Sequence, residues 1–93
     1  MSMKYDVLIL PNLFDGVSPK LKDNLKKEIK GLSNPFPGDG PGDKKEIKGT
    51  SDVAYRLRVG NYRVFYRINS NEHVVYVFDV LTAEQAHKKY GRL

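Results

Sequence analysis

Residues 55–68, YRLRVGNYRVFYRI, carry Arg56, Arg58, Arg63 and Arg67 among residues that otherwise suit a β-strand. Guanidinium groups at such spacing bind phosphates and carboxylates through paired N–H donors, and they stay charged at any physiological pH. Lys48 lies just upstream, and the C-terminal segment adds His87 and Tyr90. Imidazole and phenol are groups able to move a proton, imidazole most readily because it titrates close to neutral pH. Anion binding coupled to proton transfer is the chemistry for which these residues are suited.

Parts for other chemistries are missing. No glycine-rich phosphate loop follows a strand, no HExxH occurs, no carboxylate cluster has metal-ligand spacing, and no serine or cysteine stands in a nucleophile arrangement. No metal or other cofactor is expected. RNA offers a route that needs none, because its own 2′-hydroxyl can attack the adjacent phosphate. A protein then has to help remove one proton, stabilise charge on the phosphorane oxygens and protonate the departing 5′ oxygen. Arginine and lysine suit the second task, and His87 or Tyr90 the others. The plainer readings are that some arginines pair with Asp52, Asp79 or Glu72, that His87 is an ordinary helix-surface histidine, that His73 sits in a hairpin loop, and that Tyr90 anchors the tail.

The elements that position these groups follow from periodicity. Gly60-Asn61 suits a two-residue hairpin turn with glycine first. Val59 then faces Tyr62, Arg58 faces Arg63 and Arg56 faces Phe65. One face of the hairpin becomes Val53, Tyr55, Leu57, Val59, Tyr62, Val64, Tyr66 and Ile68; the other becomes Ala54, Arg56, Arg58, Arg63, Phe65 and Arg67. The first face should pack on a helix. The second should present phosphate contacts, with Phe65 as an apolar plane on which a base could stack.

The remaining chain supplies a frame. Residues 4–10 read as a strand, and the apolar run Val7 to Leu10 suggests cover on both faces. Ser18 and Pro19 open a helix with Leu21, Leu25, Ile29 and Leu32 on one face and a solvated lysine-rich face opposite. Pro- and Gly-rich residues 31–42 form a loop, residues 44–49 a short edge strand or basic loop, and residues 74–81 a further strand. Thr82 and Gln85 can form a capping box that starts a short tail helix ending near Gly91. The expected fold class is α+β: an antiparallel sheet packed by an N-terminal helix, with a short C-terminal helical tail.

At 93 residues the chain supports one core, so a single domain spanning residues 1–93 is expected. Sixteen Lys and Arg against 11 Asp and Glu give a formal charge of +5, which favours anionic partners. Cysteine is absent, which excludes disulfides and thiolate metal sites. No segment approaches the length of apolar residues a membrane span requires, and the opening apolar run is too short for a secretory signal. A soluble, cytoplasmic protein without a membrane partner is expected.

The order of these features, an opening strand, a lysine-rich helix ending in an NP turn, KKEIKG, YRLRVGNYRVFYRI, VVYVFDVL and a tail with His and Tyr, resembles the RelE/ParE superfamily of toxins from bacterial and archaeal toxin–antitoxin pairs, closer to the RelE branch. The resemblance implies a RelE-like, microbial-RNase-type architecture. Members commonly have a helical hairpin near the start, for which NLFDGVSP leaves little room, so one long helix is expected here. The RelE branch cleaves mRNA in the ribosomal A site without a metal, whereas the ParE branch poisons DNA gyrase. Matched by motif, Lys48 corresponds to a substrate-contacting basic residue, Arg56 to a catalytic lysine, Arg63 to an arginine that stabilises the transition state, and Tyr90, with a one-place shift of the tail, to a terminal tyrosine, with His87 or Lys89 as the alternatives for that place. Ala83 stands where a catalytic arginine often lies. The resemblance thus implies a metal-independent endoribonuclease toxin with Arg56, Arg63, His87 and Tyr90 as catalytic candidates and Lys48, Arg58, Phe65 and Arg67 as RNA contacts. Its partners would be ribosome, mRNA and a cognate antitoxin, with a possible toxin–antitoxin heterotetramer. A ParE-like toxin that binds a target such as gyrase without cleaving, or a basic RNA-binding protein, are the alternatives.

Overall fold

Ser18, whose hydroxyl accepts a hydrogen bond from the Leu21 N–H at 3.4 Å, and Pro19 behind it start the main helix of the computed structural model. The structure describes residues 4–48 and 53–91, with the Lys48 side chain, Gly49 and Asp52 outside that description. In chain order the elements are β1 (Asp6–Ile9), α1 (Pro19–Lys30), a 3-10 turn (Gly31–Ser33), β2 (Asp43–Lys48), β3 (Val53–Val59), β4 (Tyr62–Asn69), β5 (Val74–Thr82) and α2 (Ala83–Tyr90). The fold is α+β, and residues 11–16 form turns in place of a first helix.

The five strands make one sheet in the order β1-β5-β4-β3-β2. β2 to β5 form an antiparallel meander, and β1 joins β5 in parallel. The apolar run of β1 suggests cover on both faces, but the strand lies at the sheet edge with Leu8 51% and Ile9 39% exposed. Alternation along a strand reports its burial pattern without identifying its neighbours, which is why the edge position was hidden.

α1 packs Leu25 and Ile29 onto the sheet face formed by Leu57, Val59, Val64, Tyr66, Val75, Val77 and Val80, and Leu32 of the 3-10 turn completes the cluster. Leu21, on the same helical stripe, stays 43% exposed because the first turn of α1 reaches the rim of the sheet, beside the Gly60-Asn61 turn. The Tyr66 hydroxyl donates to the Pro35 carbonyl at 2.7 Å, and the buried Lys44 ammonium donates to the carbonyls of Asn34 and Asp39. These bonds satisfy backbone acceptors that the Pro- and Gly-rich loop cannot satisfy by regular pairing. Burial lowers the Lys44 pKa, with Asp39 opposing the shift.

Two local features decide which side chains face away from α1. The hairpin turns at Gly60 and Asn61, with Gly60 at φ +56°, and the register pairs Val59 with Tyr62, Arg58 with Arg63 and Arg56 with Phe65. Between β4 and β5 the register passes from Tyr66 opposite Val77 to Phe65 opposite Asp79, which leaves Phe78 as a bulge. An extra residue in one strand shifts its parity. Val77 and Val80 therefore share the core face, and Asp79 is placed on the face that carries the arginines.

Candidate functional site

β3 and β4 present Arg56 and Arg63 on the sheet face opposite α1. α2 lies against the same face, its buried Ala86 packed down and its start fixed by the Thr82–Gln85 capping box. In that box the Gln85 N–H donates to the Thr82 hydroxyl at 3.2 Å, and the Thr82 N–H donates to the Gln85 side-chain oxygen at 3.0 Å. Between hairpin and helix runs a groove of about 180 Å³ lined by Arg56, Arg63, Ala83, Ala86, His87 and Gly91. The short alanine side chains leave this space open beside the two guanidiniums.

The cations in the groove are held close to one another. Arg63 is fixed through Nη1, which donates to the carbonyls of Gly60 and Tyr62, both at 2.9 Å. Burial lowers its pKa, the charges of Arg58 and Arg56 lower it further, and Asp43 opposes them. The Arg56 Nη2 lies 3.7 Å from the Asp43 carboxylate, which is itself largely in water. A pair so exposed on one side neutralises little of the arginine's field. The Arg56 Nε–H is buried and, among the described residues, makes no hydrogen bond. Like charges, partial desolvation and an unused donor all become favourable when an anion with several acceptor oxygens enters.

The other candidates are distributed as follows. His87 joins Arg56 and Arg63 in the groove. Arg58 is exposed on the same face, next to Arg63 in register. Arg67 lies farther along β4 with its guanidinium 5.2 Å from the Phe78 ring centre. Phe65 cannot serve as an open plane for a base: it is 1% exposed, covered by the Tyr90 ring at 4.6 Å between centroids. Alternation located its face, but a covering helix from a distant segment closed that face over it. Tyr90 is not brought into the groove. Its hydroxyl donates to Asp79 Oδ2 at 2.7 Å, and burial, followed by that bond, raises its pKa. The Lys48 side chain is outside the described residues.

Asp79 is the residue at this site that strand alternation misses. Instead of neutralising an arginine, its carboxylate accepts hydrogen bonds from Lys89 Nζ and the Tyr90 hydroxyl, both at 2.7 Å and both on Oδ2. The apolar run VVYVF ahead of it gives no mark of the bulge. Among the described residues, no three His, Cys, Asp or Glu side chains come together to hold a metal ion, and no helix is long and apolar enough to cross a membrane.

The family model described as "ParE toxin of type II toxin-antitoxin system, parDE" matches residues 11–87. No curated protein matches the chain by sequence. Among solved structures, the archaeal RelE–RelB complex from Pyrococcus horikoshii OT3 contains a chain with 25% identity and a TM-score of 0.69, over 86% of this chain and 96% of that one. The toxin–antitoxin complex RelBE2 from Mycobacterium tuberculosis gives a TM-score of 0.72 at 20% identity, over 85% and 98%. The RelB–RelE complex from Methanococcus jannaschii gives 0.67 at 23% identity, over 89% and 98%.

Proposed function

The chain belongs to the ParE toxin family of type II toxin–antitoxin systems, within the RelE/ParE superfamily, and from that premise we propose that it is a RelE-like endoribonuclease that cleaves ribosome-bound mRNA in the cytoplasm. The observation that carries this reading is the groove in which Arg56, Arg63 and His87 meet. Two neighbouring guanidiniums, Arg63 repelled by the charge of Arg56 and Arg56 with an Nε–H unused among the described residues, form a receptor for a phosphodiester.

In the proposed reaction the 2′-oxygen of the RNA attacks the neighbouring phosphorus, the bond to the 5′ oxygen breaks, and a 2′,3′-cyclic phosphate and a 5′-hydroxyl result. Arg56 and Arg63 stabilise negative charge as it builds on the phosphorane oxygens, and His87 carries a proton to or from the reacting oxygens. Arg58, Arg67 and Lys48 guide the RNA backbone on either side. Arg56 has no proton-transfer role, since a guanidinium stays protonated. Tyr90 serves by holding the tail, because its hydroxyl is already given to Asp79.

A cognate antitoxin is the protein partner that the relatives' complexes support. It would neutralise the basic face, and two copies of each chain would give a heterotetramer. A second reading, a ParE-like toxin that binds gyrase, draws on the family model and on the neutral Ala83 in the groove wall. Expression of the wild type and of an Arg56→Ala/Arg63→Ala variant, with primer-extension mapping of mRNA ends, separates them. Cleavage predicts new ends that require translation and both arginines. Intact mRNA with altered DNA supercoiling would favour the gyrase reading, and RNA binding without growth arrest a plain RNA-binding protein.

A further inference from the structure

We propose that Asp79 is a positioning residue for this reaction, a clamp on the last turn of α2 that sets the direction in which His87 faces. The inference rests on the nuclease reading for its catalytic consequence, while the clamp itself stands on geometry alone.

α2 spans Ala83–Tyr90, too short to persist without tertiary anchors. Its first turn is held by the capping box and by the Ala83 N–H, which donates to the Asn61 carbonyl at 2.8 Å. Its middle is held by Ala86. At its end, among the described residues, the polar contacts with the sheet run from Lys89 and Tyr90 to one carboxylate oxygen, while the Lys88–Glu84 pair stays within the helix. Anchors at both ends fix the rotation of a helix about its axis. Ala83, Ala86, His87 and Tyr90 then fall on one stripe of the helix, with Ala83, Ala86 and His87 lining the groove and Tyr90 packed on Phe65 of the sheet.

Asp79 reaches the helix because of the bulge at Phe78. Without that extra residue the carboxylate would point into the apolar layer under α1, where an unpaired charge is costly. The bulge and the tail contacts are thus one device: a strand irregularity turns a carboxylate over, and the carboxylate orients the helix that brings a histidine to two arginines. Asp79 itself is 9% exposed and does not line the groove, so it acts through α2 rather than on substrate.

The test uses the full chain with Asp79→Asn, read by amide hydrogen exchange and by cleavage kinetics. Protection of the amides of residues 86–90 should fall about tenfold or more while β4 amides keep theirs. The kcat should fall about tenfold with KM changed less than about twofold, and in a His87→Ala background Asp79→Asn should cause no further loss. Unchanged exchange in α2, or losses that multiply in the double variant, would overturn the proposal. Tyr90→Phe keeps the ring on Phe65 and deletes one hydrogen bond; it replaces Asp79→Asn as the test if the sheet amides also lose protection. A wild type that cleaves no RNA would refute the nuclease reading, and the exchange measurement would still decide the clamp.

Discussion

Arg63 combines three properties that matter for binding: it is fixed by two carbonyls of its own turn, it is partly removed from water, and it is repelled by Arg58 and Arg56. A phosphate relieves the repulsion without having to order the side chain first, so the cost of immobilisation is small. The corresponding prediction concerns salt. In anisotropy titrations with a short single-stranded RNA, Arg63→Ala should weaken binding and lower the slope of log K against log salt by about 0.7. An unchanged slope would mean that the residue touches no phosphate. At this scale the sequence was legible where period-two alternation governs: the four arginines fall on one face because a two-residue turn fixes their register. It was not legible at Asp79, which the bulge moves across the sheet, nor at Phe65, which a segment remote in sequence covers.

The elements were marked more clearly than the contacts between them. Ser18-Pro19 and the Thr82–Gln85 box announce helix starts through groups that satisfy free backbone N–H, so both helices can be read locally. How α2 docks depends on protonation. The hydrogen bond to Asp79 raises the Lys89 pKa, and burial followed by the bond to Asp79 raises that of Tyr90. In both cases the protonated form is the one favoured in the folded state. Their contribution is therefore complete below the ordinary values of 10.0 for tyrosine and 10.5 for lysine, and is lost as pH rises through the higher folded values. Thermal melts from pH 9 to pH 11 check this. The Tm of the wild type should exceed that of a Lys89→Gln/Tyr90→Phe variant at the lower end, and the gap should close toward the upper end. A gap that stays constant would show that the two groups do not stabilise the docked tail.

At the scale of the whole molecule, the arrangement is one-sided. α1 seals one face of the sheet with the apolar core, and the opposite face carries the basic groove beside a short helix. The net charge of +5 indicated an anionic partner, but no sequence pattern showed that β1 would join β5 in parallel at the far edge. The split of tasks follows from parity. Substitution of an exposed residue on the groove face, such as Arg58 or His87, should alter RNA cleavage with little effect on stability, because neither side chain belongs to the buried core.

The most direct measurement places purified protein with ribosome complexes programmed with a defined codon in the A site and follows single-turnover cleavage of the mRNA. Wild type should cut within that codon and leave a 2′,3′-cyclic phosphate, Arg63→Ala should slow the cut by about a hundredfold or more, and His87→Ala should slow it by a comparable factor while RNA binding is kept. Cleavage at wild-type rate by the Arg56→Ala/Arg63→Ala variant, or none by the wild type, would contradict the assignment of this groove.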